Sequence, residues 1–136
     1  MSGILDGINI LDLSRILAGP YTAQMLSDLG ANITKIEAPW GDDTRGWGPP
    51  FATDFDGERV AAFFLCRNRG KTILQMTLKE EKDRLMEVIE RADVIVDNFK
   101  PGTLERLIGP LPKDTIVCSM SGYGATGPRR DAPGSD

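Results

Sequence analysis

At 136 residues the chain is long enough for one domain with a single core and too short for two ordinary ones. Hydrophobic residues at 40% and charged residues at 26% exclude a disordered composition, and no apolar run approaches the ~18 residues of a membrane helix. The formal charge of −4 speaks against a nucleic-acid partner, and the absence of histidine removes Ser-His-Asp and Cys-His pairs and histidine-ligated zinc. Any chemistry within this chain therefore falls to carboxylates, Lys, Tyr or backbone donors, and no metal is expected.

The opening "MSGILDGINI" has no basic segment ahead of a hydrophobic one, so no secretory signal and a cytoplasmic location are expected. "INILDL" (Ile8–Leu13) reads as a buried strand and "SRILAG" as the loop after it. Pro20 suits the first helical position, where its missing N–H was unpaired anyway. Thr22, Met25, Leu26 and Leu29 recur at i, i+3, i+4 and i+7, and Gly30 ends that helix. "NITKIE" (Asn32–Glu37) is a second strand, with Ile33 and Ile36 on opposite faces of a sheet covered on both sides.

From Ala38 to Gly57 the chain is rich in Gly, Pro and Asp and reads as a long loop, a feature more often functional than idle. Within it, the adjacent carboxylates Asp42 and Asp43 do not point at one centre and read as a solvated loop rather than a metal site. "ERVAAFFLCRN" reads as helix and "KTILQMT" as a third strand. "TLKE" (Thr77–Glu80) matches a capping box, followed by a helix with Leu78, Leu85, Met86, Ile89 and Ala92 on one stripe. "DVIVDNF" is a fourth strand, "GTLERLI" a short helix and "TIVCSMS" a fifth strand. Cys66 and Cys118 sit in apolar runs and are expected as buried thiols.

Strands alternating with helices predict an α/β fold: a Rossmann-like, mainly parallel sheet of about five strands with helices on both faces. Ligands of such sheets bind outside the carboxyl ends of the strands. The loops leaving those ends, "SRILAGP", "APWGDD", "NFKPG" and "SGYGATGP", are rich in residues that expose backbone. The first delivers N–H groups at a helix start beside Arg15, where an anion is favoured. "NFKPG" adds an amide, an aromatic face and a cation, which suit a flat polar ring. "NRGK" (Asn68–Lys71) brings cations together. On the residues alone a plain strand-to-helix turn, a solvated charge run and a mobile loop stay open as alternatives.

Taken in order, "LDGINILDLSRILAGP", "LSDLGANITKIEAPWGDDTRGWGPP", "NRGKTILQM", "ADVIVDNFKPG" and "SGYGATGPRRDAPGSD" resemble the class III CoA-transferases. That family includes formyl-CoA and carnitine CoA-transferases and the α-methylacyl-CoA racemases. The resemblance implies coenzyme A or an acyl-CoA as substrate, with a carboxylic acid as acceptor. It implies contact with CoA at Arg15, Ile16, Leu17, Ala18, Asn68, Lys71, Asn98, Phe99, Lys100 and Arg106, and places Asp136 near the acyl end of the site. Three positions depart from the family pattern: Ala38 where a basic residue often follows "KIE", Leu17 where formyl-CoA transferases carry Gln, and Ser135 where racemases carry His.

The family's nucleophilic Asp lies in a later motif, and its members are interlocked dimers with a second, smaller domain. The resemblance thus implies that residues 1–136 are a single CoA-binding domain, the N-terminal portion of a larger transferase, with no catalytic residue of its own. A homodimer is expected, with no nucleic acid and no membrane as partner. The alternative is a non-enzymatic binding or assembly module, or an inactive truncated product.

Overall fold

A computed structural model describes residues 2–134. Strand β1 (Asn9–Asp12) leads through a loop into helix α1 (Ala18–Asp28), and β2 (Asn32–Glu37) returns parallel to β1. A 3-10 turn (Asp43–Gly46) and an antiparallel hairpin of β3 (Phe51–Thr53) and β4 (Arg59–Ala61) fill the next connection. Helix α2 (Ala62–Asn68), strand β5 (Thr72–Gln75), helix α3 (Lys82–Glu90), strand β6 (Val94–Asp97), helix α4 (Thr103–Ile108) and strand β7 (Ile116–Ser119) follow. The main sheet runs β5-β2-β1-β6-β7 with every pairing parallel. The chain builds outward from β1 through β2 to β5, then crosses back to lay β6 and β7 on the other side. The strand order therefore reverses between β1 and β6, and the loops leaving those two strands diverge and open a crevice.

The pleat sends alternate residues to opposite faces, and each face has its own core. Leu11, Leu13, Ile36 and Ile95 pack with Leu85 and Ile89 of α3 and Leu104 and Ile108 of α4. Ile10, Ile33 and Val96 pack on the other face with Ala23 of α1. Ile33 and Ile36 thus divide between the faces as their spacing predicts. Leu78 and Ala92 flank α3 rather than belonging to it, yet both pack against the first of these cores.

Several local expectations are corrected. The buried face of α1 is Gly19, Pro20, Ala23 and Gln24, whereas Met25 and Leu29 stay about half exposed. Small residues decide this face, because α1 lies so close to the preceding loop that a Cβ on Gly19 would sit 2.1 Å from the Ser14 side chain. Pro20 is the third residue of α1 and not its first, still within the turn whose N–H groups have no helical partner. "ERVAAFFLCRN" begins as strand, since Arg59–Ala61 pair with Phe51–Thr53, and only then becomes helix. The capping box is displaced by one residue: the Thr77 N–H donates to the Glu81 carboxylate at 2.7 Å, and α3 has no side-chain cap. Both cysteines are exposed. Cys66 lies on the outer side of α2, which buries Phe64 and Asn68 instead, and Cys118 is on the sheet-edge strand β7. No helix among the described residues is long and apolar enough to cross a membrane.

Candidate functional site

The loop between β1 and α1 is held at several points. The Leu13 N–H continues the sheet by donating to the Val96 carbonyl at 2.8 Å, and the Ser14 hydroxyl and N–H both turn back onto the Asp12 carboxylate. Asn98, just past β6, clasps Arg15 on both sides: its Nδ2 donates to the Arg15 carbonyl at 2.7 Å, and its Oδ1 accepts from the Arg15 N–H at 3.0 Å. Ile16 then adopts φ 71°, a left-handed conformation that strains a β-branched residue by about 1–3 kcal/mol. The Tyr21 N–H donates to the Leu17 carbonyl at 2.8 Å, which closes the first turn of α1.

Beneath this loop lies a sealed layer of charge. Lys71 has no exposed side-chain surface, and its Nζ donates to Asp12 Oδ2 at 2.8 Å, the Pro20 carbonyl at 2.9 Å and Asn68 Oδ1 at 3.0 Å. Lys35 is equally buried, donating to the Ser14 carbonyl at 2.8 Å and lying 3.2 Å from Asp42 Oδ2. Asp42 also accepts from the Thr44 N–H and hydroxyl, while Glu37 takes a two-point contact from Arg45, whose guanidinium lies over Phe64. Burial pushes the Asp42 carboxyl up, but the Thr44 bonds and the Lys35 charge outweigh it and hold the group below its ordinary range. Burial pulls Lys71 below the ordinary lysine value, opposed by the adjacent Asp12.

Above the loop a cavity of about 690 Å³ opens where the strand order reverses. Ile16, Leu17 and Ala18 form one wall, Asn98–Pro101 a second, and Met120–Gly122 after β7 a third. Trp47 and Phe63, in mutual contact with ring centroids 5.5 Å apart, reach in from the long connection, and Arg130 and residues 132–134 close the far side. The closing segment comes in tightly, since a Cβ on Gly122 would lie 2.4 Å from the Gly134 Cα. The lining is mostly apolar, with two cations, Lys100 and Arg130, and no carboxylate among the described residues. Such a cavity accommodates a long, partly apolar ligand that carries negative charge. Among the described residues no cluster of His, Cys, Asp or Glu could hold a metal ion.

Residues 5–136 match the sequence profile of CoA-transferase family III. This chain belongs to that family. It is 41% identical, over 97% of its length, to a succinate–glutarate CoA-transferase from Agrobacterium fabrum, of which it covers 36%. It is 39% identical, over 97% of its length, to a human succinyl-CoA:glutarate CoA-transferase, of which it covers 31%. Among solved structures, a CaiB/BaiF family protein from Brucella suis superposes with a TM-score of 0.90 at 42% identity, over 100% of this chain and 38% of that one. The chain thus spans about a third of the length of the curated relatives it matches.

Of the family positions marked in the sequence, Ile16, Leu17, Ala18, Asn98, Phe99 and Lys100 come together around the cavity. Asn98 does so with its amide already committed to Arg15, so its polar edge serves the loop. Lys71 and Asn68 lie in the buried layer below, where Lys71 is fully enclosed. Arg15 turns outward to Asp43 at 2.5 Å, and Arg106 donates to the Thr103 hydroxyl within α4. Asp136 lies outside the described residues. Trp47, Phe63, Met120 and Arg130 also line the cavity and are not among the positions marked in the sequence. For Phe63 a signal existed: of two adjacent Phe on a short helix only one can face the core, and Phe64 takes that place.

Proposed function

We propose that this chain is the coenzyme A-binding portion of an enzyme that moves CoA from an acyl-CoA to a free carboxylic acid. The observation that carries the reading is the cavity at the β1/β6 reversal, with apolar walls and cations at Lys100 and Arg130. In this reading the pantetheine arm lies along Ile16–Ala18, Phe99 packs on a flat ring of the ligand, and Lys100 and Arg130 meet its negative charge. The kinship with enzymes named for transfer between succinate and glutarate supports acyl-CoA and carboxylic acid as the substrate pair.

Transfer through a covalent intermediate requires a carboxylate that attacks the thioester carbonyl, with donors for the developing oxyanion. No described residue lining the cavity is a carboxylate, and in this reading the described residues bind and orient the ligand. The attacking group belongs, in this reading, to another part of the full-length enzyme. The same observation favours the second reading for the chain alone: a module that binds CoA without turnover. Self-association is part of the proposal, because Tyr21 and Met25 on α1 and Leu29 just after it leave apolar surface exposed. Light scattering over a wide concentration range checks it, and a strictly monomeric mass removes it.

Calorimetric titration of the chain with CoA tests the main reading, followed by intact-mass measurement after incubation with several acyl-CoAs. Binding without a covalent adduct is expected. Failure to bind CoA overturns the reading, and a CoA-sized adduct on an Asp places the nucleophile inside this chain.

A further inference from the structure

We infer that Lys71 and Lys35 are positioning residues that clamp the two ends of the β1–α1 loop from below, so that neither ammonium touches the ligand. Lys35 grips the carbonyl of Ser14, where the loop begins, and Lys71 grips the carbonyl of Pro20, where it has become helix. Between those two anchors stands Ile16 at φ 71°, and beside it Leu17 and Ala18 face the cavity. A strained residue persists only where its surroundings over-determine it, and here the two enclosed cations hold the chain on either side of it. Each is balanced by its own enclosed acid, Asp12 for Lys71 and Asp42 for Lys35. Asn98 completes the arrangement by holding Arg15 from the side of β6.

The burial decides against a direct contact. Neither lysine has exposed side-chain surface, and neither is among the residues lining the cavity. Reaching a phosphate would require Lys71 to leave Asp12, Asn68 and the Pro20 carbonyl at once and abandon a buried carboxylate. The two lysines therefore act on the ligand through the shape of the loop, an inference that rests on the proposed CoA site for its functional meaning and on the ligand-free geometry for its structural content.

Hydrogen exchange of the ligand-free chain separates the two. The reporters are the Arg15 N–H, held by Asn98, and the Tyr21 N–H, held by Leu17. Lys71→Met alone leaves the buried Asp12 without its cation and can cost the fold, so the paired variant Asp12→Asn with Lys71→Met removes both charges together. Asp42→Asn with Lys35→Met is its counterpart. In each paired variant exchange at Arg15 and Tyr21 is expected to accelerate about tenfold or more while amides of the central strands keep their protection. Unchanged exchange at both reporters in both variants overturns the clamp.

With CoA and with pantetheine the Asp12→Asn, Lys71→Met variant should lose affinity by the same factor, at low and at high salt alike. A loss confined to CoA and erased by salt would instead mean that Lys71 meets a phosphate, and the inference fails. If the unmodified chain binds no CoA, the proposed function falls while the exchange result still decides the clamp. Should the paired variants not fold, the unmodified chain in sub-denaturing urea decides it. Arg15 and Tyr21 should then exchange together with the sheet, and a separate, nearly unprotected opening of the loop overturns the inference.

Discussion

The β1–α1 loop separates two regions built from similar side chains and put to opposite use. Below it, Asp12, Lys35, Asp42 and Lys71 form a closed layer in which each charge has a partner. Above it, Lys100 and Arg130 stand at the rim of an open cavity with mostly apolar walls. Burial makes the difference. An enclosed ammonium must be matched at once by a carboxylate and carbonyls, and its bonds are then spent on the protein itself. An exposed ammonium keeps its hydration and exchanges it for a ligand at modest cost. The lower region fixes geometry and the upper one is free to bind.

Breaking the lower region should give the largest effect. Lys35→Met leaves the Asp42 carboxylate enclosed without its cation, and such a loss costs about 3–5 kcal/mol. Urea unfolding followed by far-UV circular dichroism should show a large drop in midpoint or no cooperative transition. A shift of a few tenths of a kcal/mol would mean that the layer is open to water. Next in size is Gly19→Ala. The new methyl would lie 2.1 Å from the Ser14 side chain and push α1 off the loop, at about 1–3 kcal/mol for an overpacked contact. Gly46→Ala is the control, because a Cβ there meets nothing within 4 Å, and it should unfold like the parent.

The sequence made one side of this comparison legible and hid the other. Alternating apolar segments and turn residues were enough for the parallel α/β sheet, and loops rich in Gly, Pro and Asn marked its carboxyl edge. Ile16–Ala18 and Asn98–Lys100 lie in two of those loops and line the cavity, whereas no residue of the loop 38–43 does. Nothing local distinguishes Lys71 from Lys100, however. Each is a cation beside a turn, and only the packing of Asp12 and Pro20 around Lys71 settles which one is enclosed. Lys35 was invisible for the same reason, lying in a strand whose two isoleucines explained its pattern. Both thiols are exposed: an apolar run does not say which face of a short helix, or which strand of a sheet, is left uncovered. Arg130 arrives at the cavity through the Gly122–Gly134 approach, a tertiary contact with no local signature.

The upper region gives a sharper test, because stability and binding should separate there. Lys100 is exposed, so Lys100→Ala should leave the unfolding midpoint in place, with any change below about 0.5 kcal/mol. Its affinity for CoA should fall by about 0.5–2 kcal/mol, the range for one charge-assisted contact, and the loss should shrink as salt is added. Calorimetry at two ionic strengths measures both. An unchanged affinity removes Lys100 from the site and leaves Arg130 as the cation to examine.

The smallest expected effect lies at the boundary between the regions, at Asp97. It is buried at the end of β6, accepting from the Ser119 hydroxyl at 2.5 Å and from the Phe99 N–H at 3.0 Å. Burial raises its pKa above the ordinary value of 3.8; the two hydrogen bonds oppose the rise and the charge of Glu105 adds to it. Between the unfolded value and the raised folded one, the folded chain keeps a proton that the unfolded chain has released. Stability contributed by this group therefore falls as pH rises through that window, and above it the whole cost of the buried charge is present. Asp97→Asn carries no charge at any pH; its Oδ1 still accepts from Phe99, and its Nδ2 can donate to the Ser119 oxygen. At neutral pH the variant should match or slightly exceed the parent, within about 1 kcal/mol, and Phe99 should keep its place at the cavity. The difference between variant and parent should shrink as the pH is lowered through the window, because the parent regains its proton. Asp42, whose shift runs the other way, is common to both chains and cancels in that difference. Urea unfolding of the two proteins across mildly acidic pH follows the difference directly. A variant whose disadvantage grows toward neutral pH would mean that the Asp97 charge stabilises the fold, and the assignment of burial as the dominant cause would be wrong.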